Sequence, residues 1–140
     1  MREACAGKRS IVTTRSASDL FVVDSSGWLE YMTDDSKAAA FGHYLENEVA
    51  VVVPSLIIYE VYKHLAKHRG RALADRFVSQ ALHRRVVPMD ETIALAAANA
   101  SLDHRLAGAD AIVYATARFC QAQLVTANTH FRGLPGVIIP

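Results

Sequence analysis

Apolar residues in this chain fall into short blocks separated by longer stretches of helical period. Leu20-Phe21-Val22-Val23 is an unbroken apolar run that ends at Asp24. Such a run predicts a strand over residues 20–24, buried on both faces. Trp28, Leu29 and Tyr31 then open a short helix, with Ser25 or Ser26 as its cap. Ser36 is placed to cap a second helix carrying Phe41, Tyr44 and Leu45. Trp28, Leu29, Tyr31 and Phe41 give these early helices more large apolar residues than one face of a small domain readily buries, so part of this surface is expected to form a two-fold contact. Residues 49–53 are β-branched and apolar, which predicts a second strand, stopped by Pro54. Ser55 caps a helix running to about residue 68, and Gly70 closes it. Leu73, Phe77, Val78 and Leu82 mark another helix over residues 71–83.

Val86-Val87 before Pro88 predicts strand three, and Asp90 caps the alanine-rich helix that follows. Gly108 breaks the chain, a helix spans residues 109–120, and strands four and five fall at 124–126 and 137–139. Strands that alternate with helices predict an α/β fold: one domain over residues 20–140, with a central, mostly parallel sheet of about five strands flanked by helices. Residues 1–19 lack this order. They carry Arg2, Lys8, Arg9 and Arg15 among Ser and Thr. They are expected to be a flexible N-terminal extension or a remnant foreign to the native protein.

Composition narrows the classes. The chain has 140 residues, 51% apolar and 21% charged, with a formal net charge of +1. That suits one globular domain and does not mark a nucleic-acid binder by charge alone, so a basic surface must come from clustering. The two cysteines, Cys5 and Cys120, have no metal or redox spacing and suit free thiols in a reducing cytosol. No apolar run approaches the roughly 18 residues needed to cross a bilayer. The expectation is a cytoplasmic protein with no membrane partner.

Three acids stand in apolar surroundings: Asp24 at the end of strand one, Glu60 inside a helix, and Asp110 at a helix start. Each has a plain structural reading. Asp24 and Asp110 suit helix N-termini, and Glu60 can pair with His64 one turn on. Their joint occurrence after three separate apolar elements points further. Two like charges about 4 Å apart repel by roughly 4 kcal/mol at an effective dielectric near 20, which bound cations or protons relieve. Hard oxygen donors without His or Cys at ligand spacing suit Mg²⁺, or Mn²⁺ in its place. Metal-assisted phosphodiester hydrolysis is the chemistry such a site serves. Basic residues cluster from Lys63 to Arg85, beside Glu60. Lys63, Lys67, Arg69 and Arg71 are the candidates for contacting the phosphates of a nucleic acid, with Tyr59 and Tyr62 as candidates for stacking on a base.

Four stretches together resemble the PIN-domain family, specifically its VapC-like toxins. They are Val22-Val23-Asp24-Ser25-Ser26-Gly27-Trp28, Pro54-Ser55 through Glu60-Val61, Ala109-Asp110-Ala111-Ile112 through Ala115-Thr116-Ala117, and Leu124-Val125-Thr126-Ala127-Asn128-Thr129-His130-Phe131. The resemblance implies a Mg²⁺-dependent endoribonuclease, the toxin of a toxin–antitoxin pair, acting on RNA as a homodimer and blocked by a cognate antitoxin. It implies Asp24, Glu60 and Asp110 as catalytic metal ligands, with Ser25 and Thr126 orienting them. Asn128 is a further candidate ligand. It stands where many family members have an aspartate, and an amide keeps an oxygen but loses the charge. The alternative reading is a catalytically degenerate PIN-like module that binds RNA or protein. A phosphate-receiver domain is disfavoured, since no lysine follows Lys67.

Overall fold

The computed structural model describes residues 20–140; the expectations for residues 1–19, and for Cys5 among them, lie outside the described residues. Five strands and six helices alternate: β1 (Phe21–Val23), α1 (Ser25–Met32), α2 (Ala38–Leu45), β2 (Val52–Pro54), α3 (Ser55–Arg69), α4 (Arg71–Leu82), β3 (Arg85–Val87), α5 (Glu91–His104), α6 (Gly108–Phe119), β4 (Gln123–Val125) and β5 (Val137–Ile138). All strand pairs are parallel: β1 with β4, β4 with β5, and β2 with β3. A parallel bridge from Phe21 to Val51 joins the two ladders. The order across the domain is therefore β3-β2-β1-β4-β5, the α/β architecture that the sequence predicts. Val22, Val23, Val52, Val53, Leu124 and Val125 are buried, because helices cover both faces of a parallel sheet.

Several boundaries differ from the sequence pattern for local reasons. Glu48–Ala50 is a 3₁₀ turn, and β2 starts only at Val52. The Ala50 and Val51 N–H groups bond back to Asn47 and Glu48, which leaves Val49 exposed. The cap of α1 is Asp24, not a serine, and its side chain accepts the Ser25 N–H. Helix α2 begins after Lys37 with no side-chain cap, since the Lys37 N–H already goes to the Glu30 carboxylate and the Ala38 N–H to the Asp35 carbonyl. Asp90 does cap α5, accepting the Ile93 N–H at 2.9 Å.

Gly27 is required by close packing. A Cβ there would lie 2.6 Å from both Phe41 and Val23, so α1 can approach β1 and α2 only where a side chain is missing. Gly70, at φ 98°, is the single residue between α3 and α4. Only glycine adopts that backbone freely.

The large apolar residues of the early helices are core residues. Trp28 and Phe41 are fully buried, and Leu29 and Tyr31 pack partly buried against the same core. The core takes up the surplus apolar surface that their number suggests on α1 and α2: Trp28 meets Phe77 of α4 edge to face at 5.1 Å between centroids. Cys120, expected to be a free thiol, is fully buried and is not free among the described residues.

Arg84 departs from the solvated basic face that its neighbours form. It is buried, with its guanidinium 5.3 Å from the Trp28 ring. It donates to the Leu45 carbonyl at 2.6 Å and to the Gln80 carbonyl, so one cation satisfies carbonyls in the last turns of α2 and α4. Glu48 sits 3.9 Å away. Truncating this side chain strands two carbonyls and opens a cavity. Arg84→Ala should cost about 3 kcal/mol, lowering the midpoint of thermal unfolding by roughly 10 °C in a domain this size. Arg84→Lys should recover little, since an ammonium lacks the planar fork and the stacking surface. Circular dichroism melts decide this; an unchanged midpoint in Arg84→Ala would show the guanidinium to be energetically idle.

Candidate active site

Strands β1 and β4 both end at the same edge of the sheet. At that edge the Asp24 N–H continues the ladder to the Val125 carbonyl at 2.9 Å. Asp24 is only 4% exposed. One carboxylate oxygen accepts the Ser25 N–H at 2.8 Å and the other accepts the Thr126 hydroxyl at 2.8 Å. Thr126 is itself fully buried, and its hydroxyl oxygen also accepts the Asn128 N–H at 2.9 Å. Asp24 is therefore the cap of α1, held on each oxygen, at the sheet edge where the candidate site stands.

Glu60 reaches the same edge from α3 and is half-buried. Among the described residues no ion pair or hydrogen bond joins it to His64. Asp110 stands in the first turn of α6 without capping it: the cap position is Ala107, which makes no side-chain bond. The partly positive helix N-terminus favours a carboxylate there. The Asn128 amide nitrogen donates to Asp110 at 3.4 Å, while its oxygen accepts the His130 N–H at 2.9 Å. In this arrangement Asn128 presents a donor to the acidic group.

The three acids act on one another. Burial raises the Asp24 pKa above its ordinary value; the Thr126 and Ser25 hydrogen bonds pull it back, and the Asp110 charge raises it again. Glu60 is also raised, by burial first and then by the charges of Asp24 and Asp110, with Ser25 opposing. Ser25 thus lies within reach of two of the three carboxylates. Among the described residues, no three His, Cys, Asp or Glu side chains already stand at the spacing of a metal shell, so a cation would require the carboxylates to close in. The donor chemistry fits one: the acids are oxygen donors whose mutual repulsion a hard cation relieves.

Ser26 is a residue whose role the sequence pattern conceals. Its hydroxyl accepts the Ala127 N–H at 3.1 Å and lies 3.4 Å from the Thr126 hydroxyl, fastening the end of β4 to the start of α1. Its position two residues after Asp24 is the only sequence signal for this. Lys63, Lys67, Arg69 and Arg71 are exposed at the end of α3 and the start of α4. Tyr59 is 59% exposed, whereas Tyr62 is partly buried against the core.

Comparison with known proteins places this arrangement. The family model described as PIN domain matches residues 21–137. A search of curated proteins finds no match. Solved structures do match. A toxin–antitoxin complex from Klebsiella pneumoniae contains a chain of 22% identity with a TM-score of 0.73, over 85% of this chain and 96% of that one. VapC20 of Mycobacterium tuberculosis, a toxin that cleaves the sarcin–ricin loop, has 17% identity and a TM-score of 0.70, over 85% and 98% of the two chains. A DNA-bound VapBC of Salmonella typhimurium has 15% identity and a TM-score of 0.69, over 86% and 96%. At these identities the likeness is one of fold.

The electrostatics fix a sign for stability. Asp24 and Glu60 hold protons more tightly folded than unfolded, so in chelator their contribution to stability rises as pH falls from above their raised pKa values toward the ordinary 3.8 and 4.5. It is least favourable at neutral pH. Asp24→Asn removes a repelling charge; its one amide oxygen keeps the cap on the Ser25 N–H, and its NH2 donates to the Thr126 hydroxyl oxygen, which turns from donor to acceptor. In chelator at neutral pH it should therefore unfold at the parent's temperature or higher, and lose part of the acid-side gain. Melts from pH 4 to 8 check this. A clearly less stable variant would make Asp24 a structural ion partner.

Proposed function

The chain belongs to the PIN-domain family, and from that premise we propose that it is a Mg²⁺-dependent endoribonuclease, the toxin of a toxin–antitoxin pair. The observation that carries this reading is the approach of Asp24, Glu60 and Asp110 at one sheet edge, where the Asp110 charge bears on both Asp24 and Glu60, and the Asp24 charge on Glu60. These three residues would hold the metal, with Mn²⁺ as a substitute. When bound, it supplies Lewis-acid polarisation of a phosphodiester and lowers the pKa of water.

The chain's own residues supply position. Asp24 is fixed by two hydrogen bonds at 2.8 Å, so its oxygens need no reordering when substrate arrives. Ser25 and Thr126 orient it, and Asn128 holds Asp110 from the far side. Lys63, Lys67, Arg69 and Arg71 give the RNA backbone an exposed cationic path beside Glu60. The acidic centre is also where an antitoxin would act, by covering it with a basic side chain. That several structural neighbours are toxin–antitoxin assemblies supports such a partner.

A homodimer fits a different surface from the one that the aromatic residues of α1 and α2 suggest. On α5, Leu95 and Leu102 are 68% and 79% exposed, two turns apart on one face with Ala98 between them. An apolar stripe opposite the buried Ile93 and Ala97 marks a self-complementary helix contact.

Incubating the protein with a total RNA pool, with and without Mg²⁺, and mapping the new ends tests the activity. Discrete cleavage is expected with Mg²⁺ or Mn²⁺ and none in chelator. Asp110→Asn should cut at least about 100-fold more slowly and relieve growth arrest in cells. Equal cleavage by the variant, or cleavage indifferent to chelator, would end the metal-nuclease reading and favour the non-catalytic module. For assembly, Leu95→Glu/Leu102→Glu should sediment as a folded monomer at tens of micromolar while the parent sediments as a dimer; a parent that is already monomeric removes the contact.

A further inference from the structure

One turn of α3 presents two faces. Glu60 turns toward the acidic edge, and the next face opens onto a cavity of about 540 Å³ lined by Ile58, Tyr59, Tyr62, Lys63, Lys67 and Arg71 among others. This size is within the range of small-ligand pockets. Its chemistry is specific: aromatic surface, three cations and no acid among its lining residues. The exposed Tyr59 ring is held in place. Lys63 donates to its hydroxyl at 3.3 Å and stands 5.5 Å from the ring centroid, occupying one side of the aromatic and leaving the rest of the ring to the pocket.

We propose that this pocket seats one unpaired nucleotide of the RNA next to the bond cut at the acidic centre, its base on Tyr59 and Tyr62 and its phosphate among Lys63, Lys67 and Arg71. Three features select that occupant. Cations without acids ask for an anionic ligand, and a π-face next to them asks for a flat one, which a nucleotide satisfies together. Tyr59 also precedes Glu60 on α3, about 100° round the helix from it, so a strand crossing the acidic edge passes onto the side of α3 that carries the pocket. A base in a duplex is stacked on its neighbours and cannot enter, so the pocket makes an unpaired junction a condition of productive binding. The inference rests on the nuclease reading for what happens next door, but the pocket itself is testable without cleavage.

The experiment uses Asp24→Asn full-length protein, to prevent cutting, and short oligoribonucleotides with 2-aminopurine at successive positions. Stacking on a tyrosine quenches its fluorescence. One position should quench on binding. Tyr59→Ala should abolish that quench and weaken single-strand binding by about 10-fold or more, in the range of a lost base stack. Tyr59→Phe should preserve both. An abasic nucleotide at that position should mimic Tyr59→Ala, and a duplex of the same sequence should bind no better than the abasic strand. Tyr59 is exposed, so the alanine variant should fold, which a melt confirms. If binding and quenching ignore Tyr59, the pocket proposal falls, even if the parent cleaves RNA. If Tyr59→Ala instead changes the sedimentation of the protein while RNA binding stays the same, a second copy occupies the pocket and the proposal falls. If Tyr59-dependent binding holds but the parent never cleaves, the pocket stands and the nuclease reading fails.

Discussion

The Thr126 hydroxyl donates to the Asp24 carboxylate and accepts the Asn128 N–H, and both bonds are 2.9 Å or shorter. Around that atom the ends of β1 and β4, the start of α1 and the loop carrying Asn128 are fixed relative to one another. A buried carboxylate costs several kcal/mol unless its oxygens are satisfied. The sheet edge can hold Asp24 only because the neighbouring strand delivers a hydroxyl to it. Everything else at the edge follows from that cost having been met. Glu60 and Asp110 need only approach from helices, and being half-buried they keep access to solvent or ligand.

How far this edge could be read from the sequence depended on the kind of signal. Asp24 was legible because a strand buried on both faces leaves no polar residue until it ends. Glu60 and Asp110 were legible because acids are conspicuous inside apolar helices. The strand count and the helix pattern followed from period alone. Arg84 was not legible: a basic residue in a basic run looks like surface, and only the meeting of two helix C-termini above Trp28 explains its burial. Ser26 was missed because a serine near a helix start reads as a cap, whereas its bond is to Ala127, about a hundred residues on. The surplus of aromatics in α1 and α2 misled for a related reason. Counting apolar residues on one element ignores what packs on it, and the common core takes these up, Trp28 against Phe77 among them. The α5 stripe was hidden by its alanines, which read as close packing in any direction.

The chain divides its stability from its function along the sheet. At the lower ends of β2 and β3, a buried cation ties two helices together and relieves unsatisfied carbonyls. At the upper edge, gathered negative charge works against the fold, and hydrogen bonds from Ser25, Ser26 and Thr126 hold it open. Local cost at one edge, offset by satisfied groups elsewhere, is what the proposed metal centre would require.

The pairing of β1 with β4 also has a consequence in time. Asp24 and Thr126 are 102 positions apart, and β1 has its continuous ladder only with β4. During synthesis at about 5–20 residues per second, Asp24 emerges roughly 5–20 s before the hydroxyl that makes its burial tolerable. Through that interval the first strand has no permanent neighbour on that side, and the acids have no common edge to meet on. The centre therefore assembles only once β4 has been made, in one step. A nascent chain that has not reached Thr126 is left without the assembled acidic edge, so topology alone ties the edge to synthesis through β4.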